Sequence, residues 1–217
     1  MSRPRAALLG PPETVAPLLL GARVESDLGG QRVVLRVVEV EAYAGEGEDP
    51  ASHAHRGPSR RNATMFGEPG HAYVYFTYGM HWCLNVSTGP AGQGAAVLLR
   101  AGVVEQGIET ARIRRTSRRT GAMPPDPDLA RGPARLCVAL GVDGRHDGLD
   151  LLDSSGPLRL VLPTVPQQVV CSGPRVGVGA AASVPWRFWL PDNPAVSAYR
   201  PSGPRRRSGG DVAGEGT

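Results

Sequence analysis

Apolar and polar positions alternate most regularly over Val33–Tyr43 (VVLRVVEVEAY), a β-branched run that predicts a long strand. A strict period of two puts Leu35, Val37, Glu39, Glu41 and Tyr43 on one face. Two carboxylates and a tyrosine then share one side of its C-terminal end. Upstream, Glu13–Gly21 reads as a short helix closed by glycine, and Asp27–Gln31 (DLGGQ) as a turn between two extended runs. Downstream, Ala72–Thr77 and Met80–Ser87 are strand-like runs around Tyr78-Gly79, which predicts a hairpin with glycine in the tight position. A third strand, Ala95–Gly102, follows a glycine-rich turn. Glu105–Arg119 is the clearest helix and Arg131–Leu140 a second. Short strands are expected at Leu158–Leu162, Val169–Cys171 and Arg187–Leu190.

Between these elements, Ala44–Thr64 is polar and carries Asp49, His53, His55, Arg56, Arg60 and Arg61. A loop this long inside a compact domain is usually functional or disordered. The pattern defines an α+β fold in one domain: a curved, mostly antiparallel sheet flanked by helices, with the Tyr78 hairpin protruding. Residues 1–199 form that domain, and 200–217 are expected to be a disordered basic tail.

Composition narrows the chemistry. The 217 residues carry a formal charge of +4, a weak lean toward a polyanion. All 24 basic residues are arginine, and the absence of lysine excludes a P-loop lysine, a pyridoxal aldimine and a lysyl Schiff base. Cys83, Cys137 and Cys171 are too widely spaced for a disulfide framework or a metal site, so free thiols in a reducing compartment are expected. No apolar run reaches a membrane span, and Met1–Gly10 is too short for a signal peptide. A cytoplasmic protein is expected, without metal or cofactor and without membrane contact.

Six of the eleven aromatic residues fall between Phe66 and Trp82. Tyr78 sits at the hairpin tip, where a large ring buries nothing of its own chain and fits a partner surface. Glu41 lies in a valine-rich strand where a carboxylate needs a partner. With Tyr43, His53 and Arg100 it offers a base, ring surfaces and a cation, a set suited to attack by water on a bond to a flat ring.

In this order, VEVEAYAGEGEDPASHAHRG, RNATMFGEPGHAYVYFTYGMHWCLNVS, AAVLLRA, RGPARLCVALG and RVGVG closely resemble the 3-methyladenine (alkyladenine) DNA glycosylase family, from about Leu18 to Tyr199. The resemblance implies a monofunctional, metal-free enzyme that removes alkylated or deaminated purines from double-stranded DNA as a monomer and leaves the strand uncut. It makes Glu41 the residue that activates the attacking water. Tyr43, His53 and Tyr75 become lining residues of the base pocket, and Asn85 the residue that crowds guanine. Tyr78 becomes the wedge that fills the gap left by the nucleotide. Arg100 matches an arginine that holds the water and the sugar-phosphate, and Val178 a backbone carbonyl near that water. Arg61 matches a DNA-binding arginine, while Ser59 stands where relatives often carry a phosphate-contacting threonine. Two rivals remain at this point: a silent DNA-binding module, which would need Glu41 replaced or blocked, and a hydrolase of free nucleosides, which would have no use for a wedge.

Overall fold

A computed structural model describes residues 2–117 and 119–202. Two long strands form its spine, β2 (Val33–Tyr43) and β5 (Ala95–Gln106), antiparallel along most of their length. Both outer edges of this pair are occupied. On the β5 edge lie β4 (His81–Thr88), which carries β3 (Ala72–Thr77), and the two-residue β6 (Ala130–Arg131). On the β2 edge lie β1 (Arg23–Ser26), which carries β7 (Leu158–Val161), and β9 (Arg187–Trp189), which carries β8 (Cys171–Gly173). Every strand pairing among the described residues is antiparallel, and the sheet is curled, with helices packed on it: the α+β class that the pattern predicts.

With both edges paired and both faces covered, β2 is buried almost throughout, which suits its continuous β-branched run. The expected single face from Leu35 to Tyr43 is corrected. Val33, Leu35 and Val37 belong to the main core, and then so do Val38, Val40 and Ala42. The side-chain phase changes between Val37 and Val38, where the β2–β5 register shifts. A β-bulge has this effect, moving every following side chain to the other face. It is what keeps Leu35 and Val37 in the core while Glu39 and Glu41 turn away from it.

The helices are shorter than the pattern predicts. The expected helix Glu13–Gly21 forms as α2 (Pro12–Val15), which runs into a 3₁₀ turn over Ala16–Leu19, and a further short helix that the pattern does not predict, α1 (Arg3–Ala7), precedes it. The expected helix Glu105–Arg119 is α3 (Ile108–Arg115), because β5 runs on to Gln106 and Gly107 breaks the path at φ 73°. A Cβ at Gly107 would lie 2.1 Å from the Arg32 carbonyl oxygen, so only glycine makes this corner. Its arginines are structural: Arg112 pairs with Asp126, while Arg114 and Arg115 donate to the carbonyls of Ala139 and Leu129. Arg118 lies outside the described residues. The second helix is α4 (Pro133–Leu140), since Arg131 joins β6 and Pro133 starts the first turn. The strand expected at Val169–Cys171 is Cys171–Gly173. Apolar residues of α4 and of the N-terminal segment cover the core face. The tail beyond Ser202 lies outside the described residues, and Arg200 still accepts a hydrogen bond from the Gly177 N–H, past the expected boundary at 199.

Candidate active site

The site is the other face of the sheet. Alternation sends Ala72 and Val74, Leu84 and Val86, and Val97 and Leu99 into the core, so Tyr73, Tyr75, Cys83, Asn85, Ala96, Leu98 and Arg100 emerge opposite. The register then lines up one row across four strands. Tyr73 pairs with Asn85, Asn85 with Leu98, and Leu98 with Glu41. Residues up to 57 positions apart, Glu41 and Leu98, thus become neighbours on one floor.

Glu41 is fully buried at one end of that row. Its Oε1 accepts the Val176 N–H at 2.7 Å, and its Oε2 accepts the Tyr43 hydroxyl at 2.9 Å and Arg100 Nη1 at 3.4 Å. Burial first, and then the charge of Glu41, push the Tyr43 phenol well above its ordinary range, so Tyr43 stays a donor to this carboxylate. Burial works against the charge of Arg100, but Glu41 and Glu39 outweigh it and leave its guanidinium more firmly protonated than an ordinary arginine. Glu39, also fully buried, takes Arg100 Nε at 3.0 Å and Arg187 Nε at 2.6 Å. Two carboxylates and two guanidiniums are therefore interleaved beneath the floor, the pairing that buried charge requires.

A cavity of about 270 Å³ around Glu41, Arg100 and Leu98 shares Tyr43, His53, Tyr75, Tyr78 and Val178 with a wider cleft of about 1270 Å³. The rings at its mouth are packed edge to face: His53 meets Tyr75 with centroids 4.5 Å apart and an interplanar angle of 82°. His53 Nδ1 bonds the Tyr73 hydroxyl at 2.9 Å. The protein around the imidazole, and then the charge of Arg61, hold His53 below its usual pKa, so the neutral ring is favoured. Asn85 is buried in the cleft wall and donates Nδ2–H to the Tyr73 carbonyl. Tyr78, at φ 51° beside Gly79 at φ 66°, projects at the tip between β3 and β4 and is 83% exposed.

The structure thus brings together Glu41, Arg100, Tyr43, His53, Tyr75, Asn85, Val178 and Tyr78. It does not bring Ser59 and Arg61 to the cavity wall. Ser59 is spent on Asn62 within its own loop, and Arg61 donates to the Phe76 carbonyl, with its guanidinium 5.8 Å from the Tyr75 ring centre. Val178 lines the cavity, but the backbone group that touches Glu41 is the Val176 N–H.

Two residues support the site although the sequence pattern gives neither of them a role there. Arg175 and Asp49, both buried, form an ion pair with contacts of 2.5 and 2.9 Å. Arg175 also lies 4.7 Å from the Tyr43 ring centre and is chained to Val176, so one pair ties the His53 loop, the Tyr43 ring and the Glu41 contact together. Both residues stand in glycine-containing loops with no periodicity, and only the cost of a buried charge marks them.

The methylpurine-DNA glycosylase family model matches residues 6–194. The chain is 52% identical over 199 residues to a protein of Leifsonia xyli subsp. xyli, covering 90% of this chain and 92% of that one. It is also 52% identical over 196 residues to a protein of Nocardia farcinica, covering 88% of each. Both relatives bear the name "Putative 3-methyladenine DNA glycosylase". The chain belongs to the methylpurine-DNA glycosylase family. It is a DNA glycosylase, a hydrolase of N-glycosyl bonds that acts on alkylated bases in DNA repair.

Proposed function

We propose that the protein swings an alkylated or deaminated purine nucleotide out of duplex DNA, seats the base among Tyr43, His53 and Tyr75, and hydrolyses its N-glycosidic bond with a water activated by Glu41. The observation that carries this reading is a buried carboxylate at the floor of an aromatic cavity, held on both oxygens and facing a space open to the outside. A base inside a duplex is out of reach of such a floor, and unstacking it costs a few kcal/mol, least at a lesion. The exposed ring of Tyr78 stands beside the cavity to fill the gap.

In the cavity, the water oxygen bonds C1′ of the deoxyribose as the C1′–N bond breaks. The bonding pair leaves with the base, and the water proton passes to Glu41. Arg100, in contact with Glu41, orients that carboxylate and faces the sugar-phosphate side. Tyrosine faces favour a cationic alkylated ring by roughly 0.5–2 kcal/mol. Asn85 narrows the wall against the exocyclic amine of guanine. Arg61 and Ser59 lie on the loop beside the hairpin, where they meet the DNA backbone. With no lysine to attack C1′, the product is an abasic site on an uncut strand. The protein acts as a monomer in this reading.

The test is single-turnover release of base from lesion duplexes and from free nucleosides. Glu41→Gln keeps the shape and removes the proton acceptor, so the rate should fall about 10²–10⁴-fold while lesion binding persists. Strands should stay intact until alkali treatment. Excision by the variant at the wild-type rate, equal release from free nucleosides, or a borohydride-trapped adduct would overturn the reading.

A further inference from the structure

Arg100 touches Glu41 through one long contact of 3.4 Å, yet its own position is fixed from the opposite side. Its Nε donates to Glu39 at 3.0 Å, and Nε and Nη2 each lie 3.4 Å from Ser197 Oγ. Glu39 is in turn saturated. It accepts Arg187 Nε at 2.6 Å, Ser197 N–H at 2.7 Å and Ser197 Oγ at 2.8 Å. Arg187 closes the circuit by donating to the Ser197 carbonyl at 2.6 Å. Three distant stretches, β2, β9 and the segment around Ser197, thus converge on one guanidinium that none of them carries. Glu39 lies outside the cavity wall, and nothing in the proposed reaction needs it.

We infer that Glu39 is a positioning residue for Arg100, and that Ser197 shares this task. A guanidinium between two carboxylates 2 residues apart on one strand face has a choice of partner. Were Glu39 absent, Arg100 would swing fully onto Glu41 and pair with it. The proton acceptor would then be occupied by its own neighbour, and the cation would leave the place where the sugar sits. Because Arg187 and the Ser197 N–H compete for the same carboxylate, Glu39 grips Arg100 through Nε alone and leaves Nη1 directed at Glu41. The arrangement costs two buried charge pairs, which structure alone would meet more cheaply with apolar side chains. Buried polar networks of this kind matter only when every member is satisfied, and here each oxygen of Glu39 is.

This inference rests on the proposed roles of Glu41 and Arg100, so the experiment measures those separately. Single-turnover excision and lesion-duplex affinity are determined for the full chain, Glu41→Gln, Arg100→Gln, Glu39→Gln, and the double variant Glu39→Gln with Arg100→Gln. Glu39→Gln should lose about 10- to 100-fold in excision rate, the scale of a misplaced catalytic group, with affinity nearly unchanged. In the Arg100→Gln background the same substitution should cost almost nothing, because residues acting as one unit are not additive. A residue that merely holds the fold would multiply its loss with that of Arg100→Gln. Should Glu39→Gln fail to fold, Ser197→Ala keeps the backbone N–H and removes only the hydroxyl. It should cost about 3- to 10-fold in rate alone and almost nothing in the double variant Ser197→Ala with Arg100→Gln, which closes a second cycle. Full activity of Glu39→Gln, or losses that multiply in either cycle, would overturn the positioning role. Full activity of Glu41→Gln or of Arg100→Gln would instead overturn the reading on which it rests.

Discussion

Tyr78 combines a backbone that costs energy with a side chain that recovers none of it within the protein. Its φ of 51° is unfavourable for a non-glycine residue by roughly 1–2 kcal/mol, and its ring is 83% exposed. A ring held at such a cost stands free to meet a surface outside the chain. Stacked between base pairs, it would replace part of the lost stacking, roughly 1–3 kcal/mol per base. Tyr78→Ala should therefore weaken binding to lesion duplex by about 10- to 100-fold, the factor this energy implies. Binding to the same lesion in a single strand should change far less, since no stack is held open there. Equal losses on both substrates would place Tyr78 with the base pocket instead. Asn85 offers a second test at this scale. Its side chain is buried in the wall and fixed on the Tyr73 carbonyl, so Asn85→Ser should remove bulk and raise release of guanine relative to hypoxanthine. An unchanged ratio between the two bases would remove Asn85 from the discrimination.

At the scale of elements, what the sequence made legible was whatever period and turn chemistry encode locally. β2 and the β3–β4 hairpin follow from β-branched alternation and from Tyr78-Gly79, and they carry Glu41, Tyr43, Tyr75 and Asn85 into place. The phase change in β2 is invisible to a periodicity argument, because the bulge exists only against β5. Helix α3 lost its ends for a similar reason: the close approach of Gly107 to Arg32 is a tertiary contact. The loops that close the site hang on the buried Asp49–Arg175 pair, whose members stand 126 positions apart. Removing one partner of such a pair leaves an uncompensated buried charge, which typically costs about 3–5 kcal/mol. Asp49→Ala should lose stability on this scale in urea or heat, and excision by the remaining folded fraction should fall as well, since Arg175 fixes both Tyr43 and the Val176 contact. Unchanged stability would show that the loops are held by other means.

For the whole molecule, net charge says less than its distribution. Most surface arginines are matched by acids, as in Arg32 with Glu25, Arg112 with Asp126 and Arg145 with Asp143, and such pairs lend little to a polyanion. Among the described residues, Arg56, Arg60 and Arg61 form no ion pair, and all three stand in the loop that flanks the cleft and the hairpin. These three exposed arginines put unpaired positive charge on the loop beside the cavity and the hairpin. Each phosphate neutralised in B-DNA contributes about −0.9 to the slope of log affinity against log salt. If these three arginines make the phosphate contacts, the slope for undamaged duplex should be about −3, and Arg60→Gln or Arg61→Gln should each bring it closer to zero by about 1. Arg112→Gln, whose guanidinium is already paired, should leave it where it was. The same measurement on lesion duplex separates the two parts of recognition, because pocket contacts are insensitive to salt: the slopes should agree while the intercepts differ. A slope that is unaffected by the loop substitutions and brought closer to zero by Arg112→Gln would move the DNA to the α3 side of the molecule, away from Tyr78.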